Sequence, residues 1–252
     1  MERRTFLKVA GIGAGIVAGG GAVYAVTHDA DPLADHKEAT QVVLAQRYGE
    51  SRTKCLMASI LADYAVLGAQ APFIGGDENM FSEWLDYGVY YLAVYRVLTA
   101  NGATQEEGGA AIYSIFEAQA DYPAWLLTVV GRLRYNRVYR RRLRRAVEDT
   151  QLRRYAGDWV ATWVEGDGED FDFGLDVTEC GICKFYTAQG VPELAPYLCL
   201  SDEVVSRATG RGLVRHTTLA EGGEVCDFRY KAGRETYVAP LRDGWPPQFA
   251  GI

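Results

Sequence analysis

The stretch Glu165–Cys180, EGDGEDFDFGLDVTEC, is where the chain changes its periodicity. Its first part is a run of glycine and acidic residues, which favours an irregular connection. Its second part alternates. Phe171, Phe173, Leu175 and Val177 fall on one side of an extended strand, and Asp172, Asp176, Thr178 and Cys180 on the other. A period of two does not fit a helix, so this stretch divides the chain into two kinds of structure.

Upstream, from about Ala34 to Trp163, the pattern is helical. HKEATQVVLAQRYGESRTKCLMASILADYAVLGAQ (36–70) carries apolar residues at spacings of three and four, with Cys55 expected as a buried, inert thiol. Pro72 and Gly75-Gly76 end it, and a strongly apolar helix follows, stopped by Asn101-Gly102. Thr104, with Glu106 and Glu107 behind it, has the form of an N-cap with an acidic first turn. Pro123 then opens a long helix read as continuing to Val164. Ten arginines lie between Arg132 and Arg154, and we read them as a solvated face, with Tyr135 and Tyr139 as packing residues.

Downstream, short helices are expected around Lys184–Gln189, Glu193–Leu200 and Glu203–Thr209. GLVRHTTLAEGGEVCDFRYK (212–231) then reads as two strands joined at Gly222-Gly223. That turn sets a register in which Leu219 faces Cys226, Thr218 faces Asp227 and His216 faces Arg229. One surface of the hairpin then carries His216, Thr218, Asp227 and Arg229. The other carries Thr217, Leu219, Cys226 and Phe228. The expected fold class is α+β: a helical N-terminal half followed by a small antiparallel β-sheet with short helices. Residues 31–164 form the helical region and 165–252 the cysteine-containing region, either separately or as one continuous domain.

Residues 1–30 differ from both. Arg3-Arg4, then Phe6-Leu7-Lys8, then an uncharged run from Val9 to Val26 give the pattern of a twin-arginine export signal or an N-terminal anchor. The expectation is a periplasmic or extracytoplasmic protein that uses the twin-arginine export machinery, with a membrane tether if the segment is retained. Such a compartment permits disulfides without requiring them. The net charge of −7 argues against nucleic acid as a partner, because phosphate contacts need clustered cations.

Four of the five cysteines lie in the second region: Cys180, Cys183, Cys199 and Cys226. Cys180-x-x-Cys183 with Cys199 could hold zinc, although a tetrathiolate site usually closes with a second close pair. A redox pair, structural disulfides and a nucleophilic thiol are the other readings. Cys226, on the apolar hairpin surface, is a supporting residue. Asp202, three residues after Cys199, either leads the next helix or serves as a base beside a thiolate or a water.

DVTECGICKFYTAQGVPELAPYLCLSDEV (176–204) and LVRHTTLAEGGEVCDFRY (213–230) together resemble the L-2-amino-thiazoline-4-carboxylic acid hydrolase family. The resemblance covers roughly residues 170–232. It rests on the CGIC turn, the PYLCLSD segment and the TLAEGGEVCDFR hairpin. It implies a hydrolase that opens a small cyclic amidine to an N-carbamoyl amino acid, with a small-molecule substrate and no required cofactor. From that chemistry, rather than from the resemblance, we assign Cys180, Cys183, Cys199, Asp202 and Asp227 as catalytic candidates. Arg215, His216, Thr218 and Arg229 are the substrate-binding candidates. The competing reading is a non-catalytic exported protein whose thiols bind zinc or a small ligand.

Overall fold

The computed structural model describes residues 31–241, so the segment read as a twin-arginine signal lies outside the described residues. The chain divides into two units between Glu38 and Ala39. Residues 31–38 belong to the first, where Asp31 accepts hydrogen bonds from the Leu33 amide (3.0 Å) and from Lys37 Nζ (2.7 Å).

The larger unit is α+β, as expected. Helices α1 (Ala34–Gly68, shared with the first unit), α2 (Ser82–Ala100), α3 (Gln105–Gln119), α4 (Ala124–Arg134) and α5 (Arg137–Thr150) come first. Strands β1 (Val160–Glu165) and β2 (Phe173–Glu179) follow. Then come α6 (Gly181–Ala188), α7 (Ala195–Cys199), α8 (Ser201–Thr209), β3 (Leu213–Arg215), β4 (Cys226–Tyr230) and β5 (Tyr237–Val238). The sheet order is β1-β2-β4-β3-β5, antiparallel except for the β3–β5 pair. No helix among the described residues is long and apolar enough to cross a membrane.

Helix α2 is the centre of the core. Its buried residues run without interruption from Gly88 to Tyr95, as in a helix covered on all sides. Thr104 makes the expected cap. Its hydroxyl accepts from the Glu107 amide, and the Glu107 carboxylate accepts from the Thr104 amide.

Three sequence readings are corrected. The long helix from Pro123 to Val164 is instead two helices and a strand. Asn136 caps α5 by accepting from the Val138 and Tyr139 amides, so the chain restarts there. Residues 160–165 pair with β2, and Thr150 at the end of α5 accepts the Ala161 amide at 3.0 Å. Cys55 is exposed on α1 rather than buried.

The third correction is the hairpin. β3 ends at Arg215, with Val214 rather than His216 opposite Arg229. Residues 216–225 form a loop containing a 3₁₀ turn at Leu219–Glu221. The cause is Asp227: its Oδ1 accepts the amides of His216 (2.9 Å) and Thr217 (2.8 Å) and so replaces the ladder bonds that would have extended β3.

The sheet thus has two distinct faces. Paired residues share a side, so Phe173, Leu175 and Val177 lie with Tyr230, Phe228 and Cys226, and with Leu213 of β3. Helices α5 and α8 pack over this side, which holds the aromatic row Trp163–Phe173–Tyr230 at centroid spacings of 5.0 and 5.1 Å. Asp176, Asp227 and Arg229 lie on the other side.

Candidate functional site

The CGIC turn is set by a β-bulge. Ala161 pairs with Val177 but Val160 pairs with Glu179, so β2 carries one extra residue just before the turn. The extra residue inverts the alternation. Glu179 turns outward, where it pairs with Lys184 (2.6 Å) and with Arg153. Cys180 turns inward, to the side of Val177 and Cys226. Strict alternation had placed it beside Asp176; the bulge is the physical reason it is not there.

Cys180 then N-caps α6. Gly181 is required at the next position, because a Cβ there would lie 2.7 Å from the Trp159 ring and 2.8 Å from the Gly157 carbonyl oxygen. Gly88 plays the matching part on α2, where Ile182 approaches to 3.1 Å of its would-be Cβ and the Tyr186 hydroxyl donates to its carbonyl at 2.8 Å. The turn is therefore wedged between the core helix and β1, which fixes the direction of its thiols.

All five cysteines are free thiols, and Cys180, Cys183 and Cys199 are each partly accessible. The hydrogen bond with Cys183 and then burial push the Cys180 thiol well above the ordinary thiol range, against the amides of Cys183 and Ile182. Burial likewise raises Cys199, with Arg215 opposing and Cys180, Asp202 and Cys226 adding to the rise. Cys226 is buried, accepts the Leu219 amide at 3.2 Å, and is pushed up to about 11 by burial. These mutual influences place Cys180, Cys199 and Cys226 around one point. At neutral pH the Cys180, Cys199 and Cys226 thiols are protonated.

Asp202, in the first turn of α8, faces the same point. Arg215 Nη1 donates to its Oδ2 at 2.6 Å, and Arg215 Nη2 donates to the Cys199 carbonyl at 3.0 Å. The Arg215 side chain is 2% exposed and lies over the Phe228 ring at 5.3 Å. Burial raises the Asp202 carboxyl above the ordinary Asp range, although Arg215 and Arg211 pull it back. Yet the Asp202 side chain keeps 38% of its surface accessible. With the partly accessible Cys180, Cys183 and Cys199 it makes up the candidate recess of the covered face.

Sequence reasoning missed one member. Arg211, between Gly210 (φ 66°) and Gly212 (φ 63°), lays its guanidinium between the rings of Tyr135 (4.0 Å) and Tyr230 (4.4 Å). Tyr135 is thus more than a packing residue. A lone arginine between two glycines was the signal available in the sequence, but its partners come from the end of α4 and from β4.

The remaining candidates are elsewhere. Arg229 pairs with Asp176 at 2.7 Å, and His216, 63% exposed, places Nδ1 3.3 Å from Asp227 Oδ2. These residues occupy the opposite face of the sheet from Cys180, Cys199 and Asp202. Thr218 is buried, with its hydroxyl 3.4 Å from Glu221 Oε2. Among the described residues, no group of three or more His, Cys, Asp or Glu is arranged to hold a metal ion. A separate cleft of about 400 Å³, lined by Gln105, Glu193, Pro196, Tyr197, Glu221 and Leu241, contains none of the thiols, and its charged groups are acidic.

The fold defines a class: an α+β protein with candidate thiol and carboxylate groups on the covered face of a small sheet. The family model described as L-2-amino-thiazoline-4-carboxylic acid hydrolase matches residues 87–230, and the chain belongs to that family. The matched segment runs from the core helix α2 to the end of β4 and so includes Cys180, Cys183, Cys199, Asp202, Arg211 and Arg215. No curated protein and no solved structure matches the chain.

Proposed function

We propose that the protein hydrolyses a small cyclic amidine of the L-2-amino-thiazoline-4-carboxylate type to an N-carbamoyl amino acid, with Asp202 as the proton-transfer group. The observation that carries this reading is Asp202 itself: a carboxylate held at 2.6 Å by a buried arginine, raised above its ordinary range, and open to a thiol-lined recess. Carboxylates tuned upward by burial are suited to take and return protons near neutral pH.

The steps balance as follows. Water adds its oxygen to C2 of the ring, and Asp202 carries the water proton to the ring nitrogen. The tetrahedral carbon then collapses to a carbonyl, the C2–S bond breaks, and the hydroxyl proton passes through Asp202 to the departing sulfur. The product is N-carbamoyl-cysteine with a free thiol, and Asp202 returns to its starting state. Raised pKa values keep Cys180 and Cys199 protonated, which favours thiols that donate to the developing sulfur over a resting thiolate that attacks C2. Cys183 supports this arrangement through its hydrogen bond to Cys180. On the twin-arginine pattern at Arg3-Arg4, we place the reaction outside the cytoplasm.

The test is direct. Purified protein is incubated with L-2-amino-Δ2-thiazoline-4-carboxylate while N-carbamoyl-L-cysteine and free thiol are measured. Release of both is expected, with Cys183→Ala lowering it in a folded variant. Wild-type turnover in that variant would remove the CGIC turn from the site, and absence of product from the wild-type protein would contradict the hydrolase reading.

A further inference from the structure

The recess contains more positive charge than its own groups balance. Arg211 and Arg215 are two cations, Asp202 is one anion, and burial keeps the neighbouring Cys180, Cys199, Cys226 and Tyr230 protonated. The two arginines are not equivalent. Arg215 donates to Asp202 and to the Cys199 carbonyl, so its ends are committed to holding the base. Arg229 is committed to Asp176, Arg207 to Glu203 and Glu117, and Arg140 to the Asp172 carbonyl. No described residue accepts a hydrogen bond from the Arg211 guanidinium. Its guanidinium lies over two rings, Tyr135 at 4.0 Å and Tyr230 at 4.4 Å.

From this we infer that Arg211 is the anion anchor of the recess, binding the substrate's carboxylate through its uncommitted N–H groups while Asp202 works on the ring. The identity of that substrate rests on the proposed hydrolase reading; the charge and geometry of the anchor do not. A guanidinium stacked between two rings keeps its in-plane donors free, and in-plane donors are what bidentate carboxylate recognition uses. The rings also fix the side chain in advance, so little rotamer freedom is lost when the anion arrives. Backbone supports the placement. The Arg211 amide donates to the Ser206 carbonyl at 3.0 Å, and a Cβ at Gly212 would lie 2.0 Å from the Lys231 carbonyl oxygen, so the turn from α8 into β3 is held tightly against β4. Arg211 lies over Tyr230 (4.4 Å) and Arg215, which holds Asp202, lies over Phe228 (5.3 Å), and the centroids of those two rings are 6.2 Å apart, so the anchor and the base are neighbours on the covered face.

The experiment compares L-2-amino-Δ2-thiazoline-4-carboxylate with 2-amino-2-thiazoline, the same ring without its carboxylate, in the full-length wild-type protein and in Arg211→Met, Arg211→Lys and Tyr135→Leu. N-carbamoyl-L-cysteine is titrated by calorimetry alongside. The wild-type protein should prefer the carboxylate by about 10–100-fold in KM, the range expected of hydrogen bonds to a charged group. Arg211→Met should lose that preference with little change in kcat, Arg211→Lys should keep part of it, and Tyr135→Leu, which leaves the guanidinium in place, should weaken it less than Arg211→Met. Undiminished preference in a folded Arg211→Met overturns the inference while leaving the hydrolase reading standing. Conversely, wild-type protein that turns over neither ring but binds N-carbamoyl-L-cysteine, with loss of that binding in Arg211→Met, contradicts the hydrolase reading and supports the anchor.

Discussion

Asp202 and Asp227 make a natural comparison. Each lies close to a basic residue from the Arg215-His216 dipeptide, and each belongs to a segment that resembles the family. Yet they face opposite sides of one small sheet. Asp202 meets Arg215, which is 2% exposed, inside a recess lined by thiols. Asp227 meets His216, which is 63% exposed, and uses its Oδ1 to take two backbone amides. The difference teaches that adjacent residues at the end of β3 serve different tasks, because successive side chains of an extended backbone leave in opposite directions. One carboxylate is the one we propose for the chemistry, while the other ends β3 and shapes the loop.

That contrast can be broken most forcefully at its cations. Arg215→Met should destabilise the fold by about 2–3 kcal/mol, because it removes the buried guanidinium's hydrogen bonds to the partly accessible Asp202 and to the Cys199 carbonyl. Arg229→Met, across the sheet, should cost less, about 1 kcal/mol, since the side chains of its ion pair with Asp176 keep 25% and 35% of their surface accessible. Denaturant unfolding measures both, and equal losses would show that the two faces do not differ as described.

Next in size is the turn that aims the thiols. Gly181→Ala should cost about 1–3 kcal/mol through overpacking against Trp159, as read from a thermal melt. Little change would mean that the wedge between Trp159 and Gly88 does not set the direction of Cys180.

A smaller effect sharpens the account of protonation. Alkylation by iodoacetamide at neutral pH should label the exposed Cys55 first and Cys226, buried and shifted to about 11, last. Rapid labelling of Cys180 or Cys199 would indicate a resting thiolate and return covalent attack to the front. The pH profile carries the sign of the Asp202 shift. As the base, Asp202 must be ionised, so kcat/KM should fall as pH drops through a pKa above the ordinary Asp range, and activity should be retained above it.

Much of this fold was legible in the sequence because period and punctuation agreed. The alternation at Phe173–Val177, the Thr104 cap and the stop at Asn101-Gly102 each depend on local chemistry. What was not legible depends on partners distant in sequence. β1 follows a helix so closely that its alternation was absorbed into the helical reading, and only pairing with β2 defines it. The bulge that turns Cys180 inward is a property of two strands together. Asp227 was read as a surface residue of a hairpin that its own side chain prevents. Arg211 gains meaning only when Tyr135 and Tyr230, far apart in the chain, close over it.

The central claim, that the chemistry belongs to the covered face of the sheet, is tested most directly by kcat/KM for L-2-amino-Δ2-thiazoline-4-carboxylate in Asp202→Asn and Asp227→Asn, each confirmed folded. The account predicts a loss of about 100-fold or more for Asp202→Asn, the scale of a lost general acid–base, and a change of less than about tenfold for Asp227→Asn. The reverse order would place the reaction on the other face and contradict it.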